Sequence, residues 1–180
     1  MHEKRFSGNI TRLRNPERVR RLEVARVVSL CLEGAEYASV LDAGMGTGLF
    51  AEEFARRGLA VSGVDVNPEM VVAAREFVSS GDFSQAEAEA LPFLNSAFDL
   101  VFMGILLHES DEQLMVLREA RRVARRRVGI LEWAYREEEF GPSLAYRLNI
   151  EDFTDMASKA GFAKSETFPL AKLVLYRLSV

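Results

Sequence analysis

The chain has 180 residues, the length of one domain with a core of its own, and its 48% hydrophobic and 28% charged content is that of a soluble globular protein. A net charge of -4 argues against a nucleic-acid partner held by overall electrostatics. With Cys31 the single cysteine and only His2 and His108 as histidines, the chain forms no internal disulfide and no thiolate or histidine metal centre, so no metal is expected. The polar start Met1-His2-Glu3-Lys4-Arg5 lacks the apolar stretch of a signal peptide. The longest apolar run, Leu100 to Leu107, is too short to span a bilayer, so a cytoplasmic location without a membrane partner is expected.

In chain order, residues 1–14 are basic and irregular, with Phe6 the only large aromatic. Asn15-Pro16-Glu17 supplies a cap, a first-position proline and a first-turn acid. Leu22, Ala25, Val28 and Leu32 recur at helical spacing, which predicts one amphipathic helix to about Glu33, stopped by Gly34. Ser39–Asp42 is the first strand, and a helix over Leu49–Arg57 is closed by Gly58. The buried strand Leu59–Asp65 ends in an acid, and Asn67-Pro68-Glu69 opens a helix to about Ser80. Phe83–Ala86 is a short strand, followed by polar Glu87–Glu89 and the turn Leu91-Pro92-Phe93. Phe98–Met103 is a buried strand, and Ser110 with Gln113 forms a capping box for a helix to about Ala124. Val128–Trp133 is the fifth strand, and Ala134–Leu148 is charged and aromatic without a period. Asn149 caps a helix over Ile150–Lys159, stopped by Gly161, and strands near Lys164–Phe168 and Lys172–Leu178 finish the chain. This alternation predicts an α/β fold, a mostly parallel sheet with helices on both faces. The last two strands, joined by a turn near Pro169, pair as an antiparallel hairpin. A single domain over 1–180 is expected, with residues 1–33 as an N-terminal helical extension.

The chemistry centres on Asp42-Ala43-Gly44-Met45-Gly46-Thr47-Gly48. Alternate glycines let the backbone turn sharply off a strand and leave no Cβ in the way of a ligand, with the next helix's amides beside the gap. A nicotinamide fingerprint places glycines at relative positions one, three and six. Here position six is Leu49 and the extra glycine is Gly48, so the spacing is G-x-G-x-G. Asp65 stands about twenty residues after the first glycine, where one carboxylate can accept bonds from both ribose hydroxyls.

The glycine spacing, the stretch Gln85-Ala86-Glu87-Ala88-Glu89-Ala90-Leu91-Pro92-Phe93 and the following Phe98-Asp99-Leu100-Val101 together resemble the class I, Rossmann-like S-adenosylmethionine (SAM) dependent methyltransferases. The segments Leu117–Val123 and Ile130–Trp133 resemble that family's fourth helix and fifth strand. The resemblance covers roughly residues 38–180. It implies a three-layer fold with a seven-stranded sheet whose last strand is antiparallel, and SAM lying across the strands' carboxyl ends. The implied cofactor residues are Asp42, Ala43, Gly44, Met45, Gly46 and Gly48 of the turn, Asp65, Val66 and Met70 around the second strand's end, Glu87 and Ala88 at the adenine, and Met103 and Gly104 beside the methionine part. Relatives commonly have Asp where Glu87 stands. His108 falls where many of them carry histidine, as a base for the acceptor's proton or as a polar helix-start residue.

Relatives usually place Lys-Pro-Gly-Gly where this chain has Ala124-Arg125-Arg126-Arg127, which predicts a shortened loop with cations at a solvated helix end. An Asn/Asp-Pro-Pro-Tyr after the fourth strand is absent, which argues against adenine or glutamine-amide acceptors, and a Pro-Cys nucleophile for cytosine is absent too. The expected reaction moves the sulfonium methyl of SAM to O, N or C of a small-molecule acceptor. Ala134–Leu148 is a possible substrate-facing loop, its aromatics walling a pocket or packing beneath it. A non-catalytic SAM-binding subunit and a nicotinamide oxidoreductase stand as alternatives.

Overall fold

The computed structural model describes residues 10–180. Five strands run parallel: β1 (Ser39–Ala43), β2 (Ala60–Asp65), β3 (Asp82–Gln85), β4 (Phe98–Gly104) and β5 (Ala124–Trp133). β6 (Lys164–Pro169) and β7 (Leu173–Ser179) form the hairpin, and the sheet order is β3-β2-β1-β4-β5-β7-β6. β7 lies between β5 and β6 and is antiparallel to both, as expected of the last strand.

The pleat sends alternate side chains to opposite faces, and each face meets its own helices. On one face Val40, Leu100, Phe102, Leu131 and Leu175 pack against Val27 and Val28 of α3 (Val24–Leu32) and Phe50 and Phe54 of α4 (Leu49–Arg56). On the other, Leu41, Val101, Met103, Ile130 and Tyr176 meet Leu117 and Ala120 of α6 (Gln113–Val123) and Phe153 of α7 (Ile150–Lys159). The Phe102 ring lies 4.7 Å from that of Phe50 and 5.5 Å from that of Phe54. Removing a buried Phe costs about 3–5 kcal/mol, so Phe102→Ala would do most to unseat α4 from the sheet. α5 (Pro68–Phe77) flanks β2 and β3, and Asn67 caps it by accepting the Glu69 N–H.

Four local expectations are corrected. Residues 1–9 lie outside the described ones, but Ile10–Leu13 forms a helical turn (α1) where an irregular segment was expected. The single helix expected from Asn15 to Glu33 is two, α2 (Pro16–Arg21) and α3, broken at Glu23, whose φ of 47° is left-handed. The Glu23 carboxylate accepts the Ala171 N–H and a bond from Arg26, which holds the break. Ser110 and Gln113 do not form a capping box: a 3₁₀ turn at Leu107–Glu109 precedes α6, and the Ser110 hydroxyl accepts the Glu112 N–H while donating to Glu89. The arginine run is not a solvated helix end, because β5 begins at Ala124 directly after α6. Arg127 donates to the carbonyls of Cys31 and Glu33, closing the carboxyl end of α3, and Arg125 pairs with Asp99.

Candidate active site

The strand order reverses between β1 and β4, and ligands of open α/β sheets bind beyond the strands' carboxyl ends at such a switch point. The Gly44–Gly48 turn leaves β1 there. Gly44 and Met45 both donate their N–H to Val64 O, at 2.8 and 3.0 Å. Gly44 has φ +71°, which favours glycine, and a Cβ on it would stand 2.8 Å from Leu106 Cδ1 and displace that side chain. Gly48, at φ +73°, precedes α4 without a side chain to cap it. Asp42 substitutes from the strand below, accepting the Ala51 N–H at 3.1 Å. Burial pushes the Asp42 carboxyl up to about 7, with the Asp65 charge adding and the Ala51 amide opposing.

Asp65 links the turn to α5. One carboxylate oxygen accepts the Gly46 N–H at 2.8 Å, and the other accepts the Asn67 N–H at 2.9 Å. Each oxygen keeps a further lone pair. Burial holds this carboxyl above its ordinary range against the pull of the two amides.

After β3, Ala86, Ala88 and Glu89 line the cleft, whereas Glu87 is exposed and outside its lining. The Leu91-Pro92-Phe93 turn behind them is pinned from α6. Glu119 accepts the Leu91 N–H, and Arg122 donates to the carbonyls of Leu91 and Phe93.

After β4, Ile105 takes φ +61°, a strained value for a β-branched residue, and donates its N–H to Leu131 O at 2.8 Å. His108 follows, 7% exposed and part of the cleft wall. Its Nδ1 lies 2.8 Å from an oxygen of Glu132, itself 1% exposed in β5. A carboxylate only accepts, so Nδ1 carries the proton and Nε2 holds the lone pair. Burial works against the imidazolium, but the charge and hydrogen bond of Glu132, with Glu109 adding, outweigh it and raise the His108 pKa.

Two segments complete the walls. α1 and α2 lie over the glycine turn through Arg14, which donates to Thr47 O at 2.7 Å and pairs with Glu52 of α4. Its guanidinium also sits 3.6 Å above the Phe77 ring. The 134–148 segment folds around buried Arg147, which donates to the carbonyls of Ala134, Arg136, Phe140 and Pro142. Phe140, Gly141 and Pro142 from this segment reach the cleft, along with Trp133.

The result is one cleft of about 750 Å³. Of the residues expected from the sequence, it brings together Asp42, Gly44, Met45, Gly46, Asp65, Val66, Met70, Ala88, Gly104 and His108. Ala43, Gly48, Glu87 and Met103 are not among its lining residues. Glu132, Glu89 and the cleft-facing residues of α2 were missed; of these only Glu132 left a signal, a lone acid in an apolar strand.

These features define a class: a Rossmann-like α/β domain with a cofactor-sized cleft over a glycine turn. Residues 41–130, half of the chain, match the methyltransferase domain model, and the chain belongs to that family. It is 35% identical over 111 residues to a demethylmenaquinone methyltransferase of Thermotoga maritima, covering 59% of this chain and 48% of that protein. It is 34% identical over 86 residues to a malonyl-[acyl-carrier protein] O-methyltransferase of Erwinia pyrifoliae, covering 48% of this chain and 33% of that one. The chain thus spans half or less of the length of these curated relatives. Among solved structures, a SAM-dependent methyltransferase from Aquifex aeolicus superposes with a TM-score of 0.84 at 23% identity, over 95% of this chain and 96% of that one. That likeness extends the fold to nearly the whole chain. Among the described residues no helix is long and apolar enough to cross a membrane, and no cluster suited to a metal ion is found.

Proposed function

We propose that this protein is a SAM-dependent methyltransferase acting on a small-molecule acceptor. The observation that carries the reading is Asp65, held by the Gly46 and Asn67 amides with a lone pair on each oxygen left for a ribose, at the wall of the switch-point cleft. The residues present fit SAM. Gly44 and Gly46, which bring no side chain to the cleft wall, leave room for its amino-acid and ribose parts, and the cleft volume lies within the range of small-molecule sites. Buried Asp42 and half-buried Asp65 on the cleft wall suit a ligand that carries positive charge. Ala88 would meet the adenine edge through its backbone, and Glu87 would join it by turning its exposed side chain inward.

SAM, when bound, would supply an electrophilic methyl for the acceptor's lone pair, with the C–S electron pair left on sulfur. The protein's part is alignment, exclusion of water and removal of one proton. Ile105 and Leu106 line the same cleft beside His108. His108, its tautomer set by Glu132, offers Nε2 as the proton's destination.

The test is a calorimetric comparison of SAM, S-adenosylhomocysteine and NADH, followed by labelled-methyl transfer to a metabolite panel. SAM and its product should bind at micromolar concentrations and NADH should not. Binding of NADH alone would replace the reading with an oxidoreductase, and SAM binding without transfer to any acceptor would replace it with a non-catalytic subunit.

A further inference from the structure

The cleft extends beyond what the cofactor reading uses, under α2 and the 134–148 segment. Arg18 and Arg21 are three residues apart on α2 and so leave the same side of the helix. Both line the cleft, where Trp133 and Phe140 are also found. The Arg21 guanidinium stands 3.7 Å above the Phe140 ring. Arg18 gives one N–H to Leu13 O at 3.0 Å. Among the described residues, neither guanidinium takes part in an ion pair. The cations are also close to one another: burial, then the charges of Arg21 and Arg12, lower the pKa of Arg18, and only Glu109 acts the other way. Like charges gathered in a half-buried wall are electrostatically costly, and a bound anion relieves that cost. A planar guanidinium pair also matches the two-oxygen geometry of carboxylate and phosphate.

We infer that the methyl acceptor is an anion, a small molecule whose carboxylate or phosphate is held by Arg18 and Arg21 while its apolar body lies against Trp133 and Phe140. This rests on the methyltransferase reading, and adds the chemical class of the acceptor to it. The nucleophilic atom then faces the His108 side of the same cleft.

Trp133 is the chain's single tryptophan, so its fluorescence reports on this end of the cleft. The experiment first titrates S-adenosylhomocysteine into the wild-type protein. It then titrates benzoate, phenyl phosphate and neutral benzamide into the saturated complex, with calorimetry as a second readout. At least one anion should bind about tenfold or more tightly than benzamide, the worth of one charge-assisted hydrogen bond. Whether benzoate or phenyl phosphate is preferred separates the two anion classes. Arg18→Gln/Arg21→Gln should erase the preference while the S-adenosylhomocysteine affinity stays within about twofold, and Arg18→Lys, which keeps the charge but loses the planar fork, should keep only part of it. Benzamide binding as well as both anions, failure of both anions to bind at millimolar concentration, or anion binding that survives the double variant would each overturn the inference. Failure of S-adenosylhomocysteine to bind the wild type is a different result, which removes the cofactor reading beneath it.

Discussion

Glu132 holds His108 at two points, accepting the ring Nδ1–H at 2.8 Å and the backbone N–H at 3.2 Å. Both groups are buried, so neither the ring's tautomer nor its position is free to vary. A histidine fixed this way is suited to accept a proton at Nε2, and Glu132 is the residue that makes it so.

Glu132→Gln tests this coupling. In the wild type Glu132 raises the pKa of His108 against burial, so the base form dominates only above the ordinary histidine value. Without the charge, burial works against the imidazolium with less opposition, and the acid limb of kcat/KM should move to lower pH. The plateau should fall about 10²-fold through loss of the correct tautomer, with SAM affinity unchanged. An unmoved limb and an unmoved plateau together would reduce Glu132 to a packing residue.

Asp42→Asn should stabilise the cofactor-free protein at pH 8. The folded carboxyl titrates at about 7, above its ordinary 3.8, because burial disfavours its charged form. Between those values the folded state holds a proton that the unfolded state has released, so stability falls as pH rises through this window. Asn removes that loss and still accepts the Ala51 N–H. The expected gain at pH 8 is about 4 kcal/mol, or roughly 10 °C in Tm, shrinking toward zero near pH 4. Thermal melts of both proteins across that range decide it, and parallel pH profiles would contradict the assignment of Asp42.

Asp65→Ala should weaken SAM binding about 10²-fold by calorimetry, the value of two charge-assisted hydrogen bonds. The same change releases the Gly46 and Asn67 amides, so a modest fall in Tm should accompany it. Unchanged affinity would put the ribose elsewhere.

Arg147→Lys preserves charge but cannot reach four carbonyls with one ammonium. Leaving buried carbonyls without donors should cost about 2–4 kcal/mol and loosen the 134–148 segment. The acceptor's KM should rise while the affinity for SAM holds. Limited proteolysis should show new cleavage within that segment; if the cleavage pattern and KM match wild type, Arg147 is not what shapes this wall.

The strand and helix order was readable from residue pattern because buried parallel strands and capped helices each have local signatures. Asn67-Pro68-Glu69 marks the start of α5 by chemistry that acts within three residues. What escaped the pattern depends on distant partners. The break at Glu23 is held by an amide at Ala171, far along the chain. Ser110 turns toward Glu89 rather than capping α6, a contact with another loop. The glycine-turn half of the cleft was legible because the glycine spacing and Asp65 belong to one βαβ unit. The other half comes from α2 and the 134–148 segment, which meet only when the sheet has formed, and nothing local in Arg18 or Arg21 announces it.

The position of β7 carries a consequence for assembly. β6 is synthesised before β7, yet its ladder partner is β7 alone, and β5 waits for the same strand along that edge. Until β7 enters, a row of unpaired peptide groups on β5 stays open to any other extended chain. A sheet that lacks β7 is therefore open to intermolecular pairing along β5. Docking of the β6–β7 hairpin closes the long-range ladder to β5 and covers that edge.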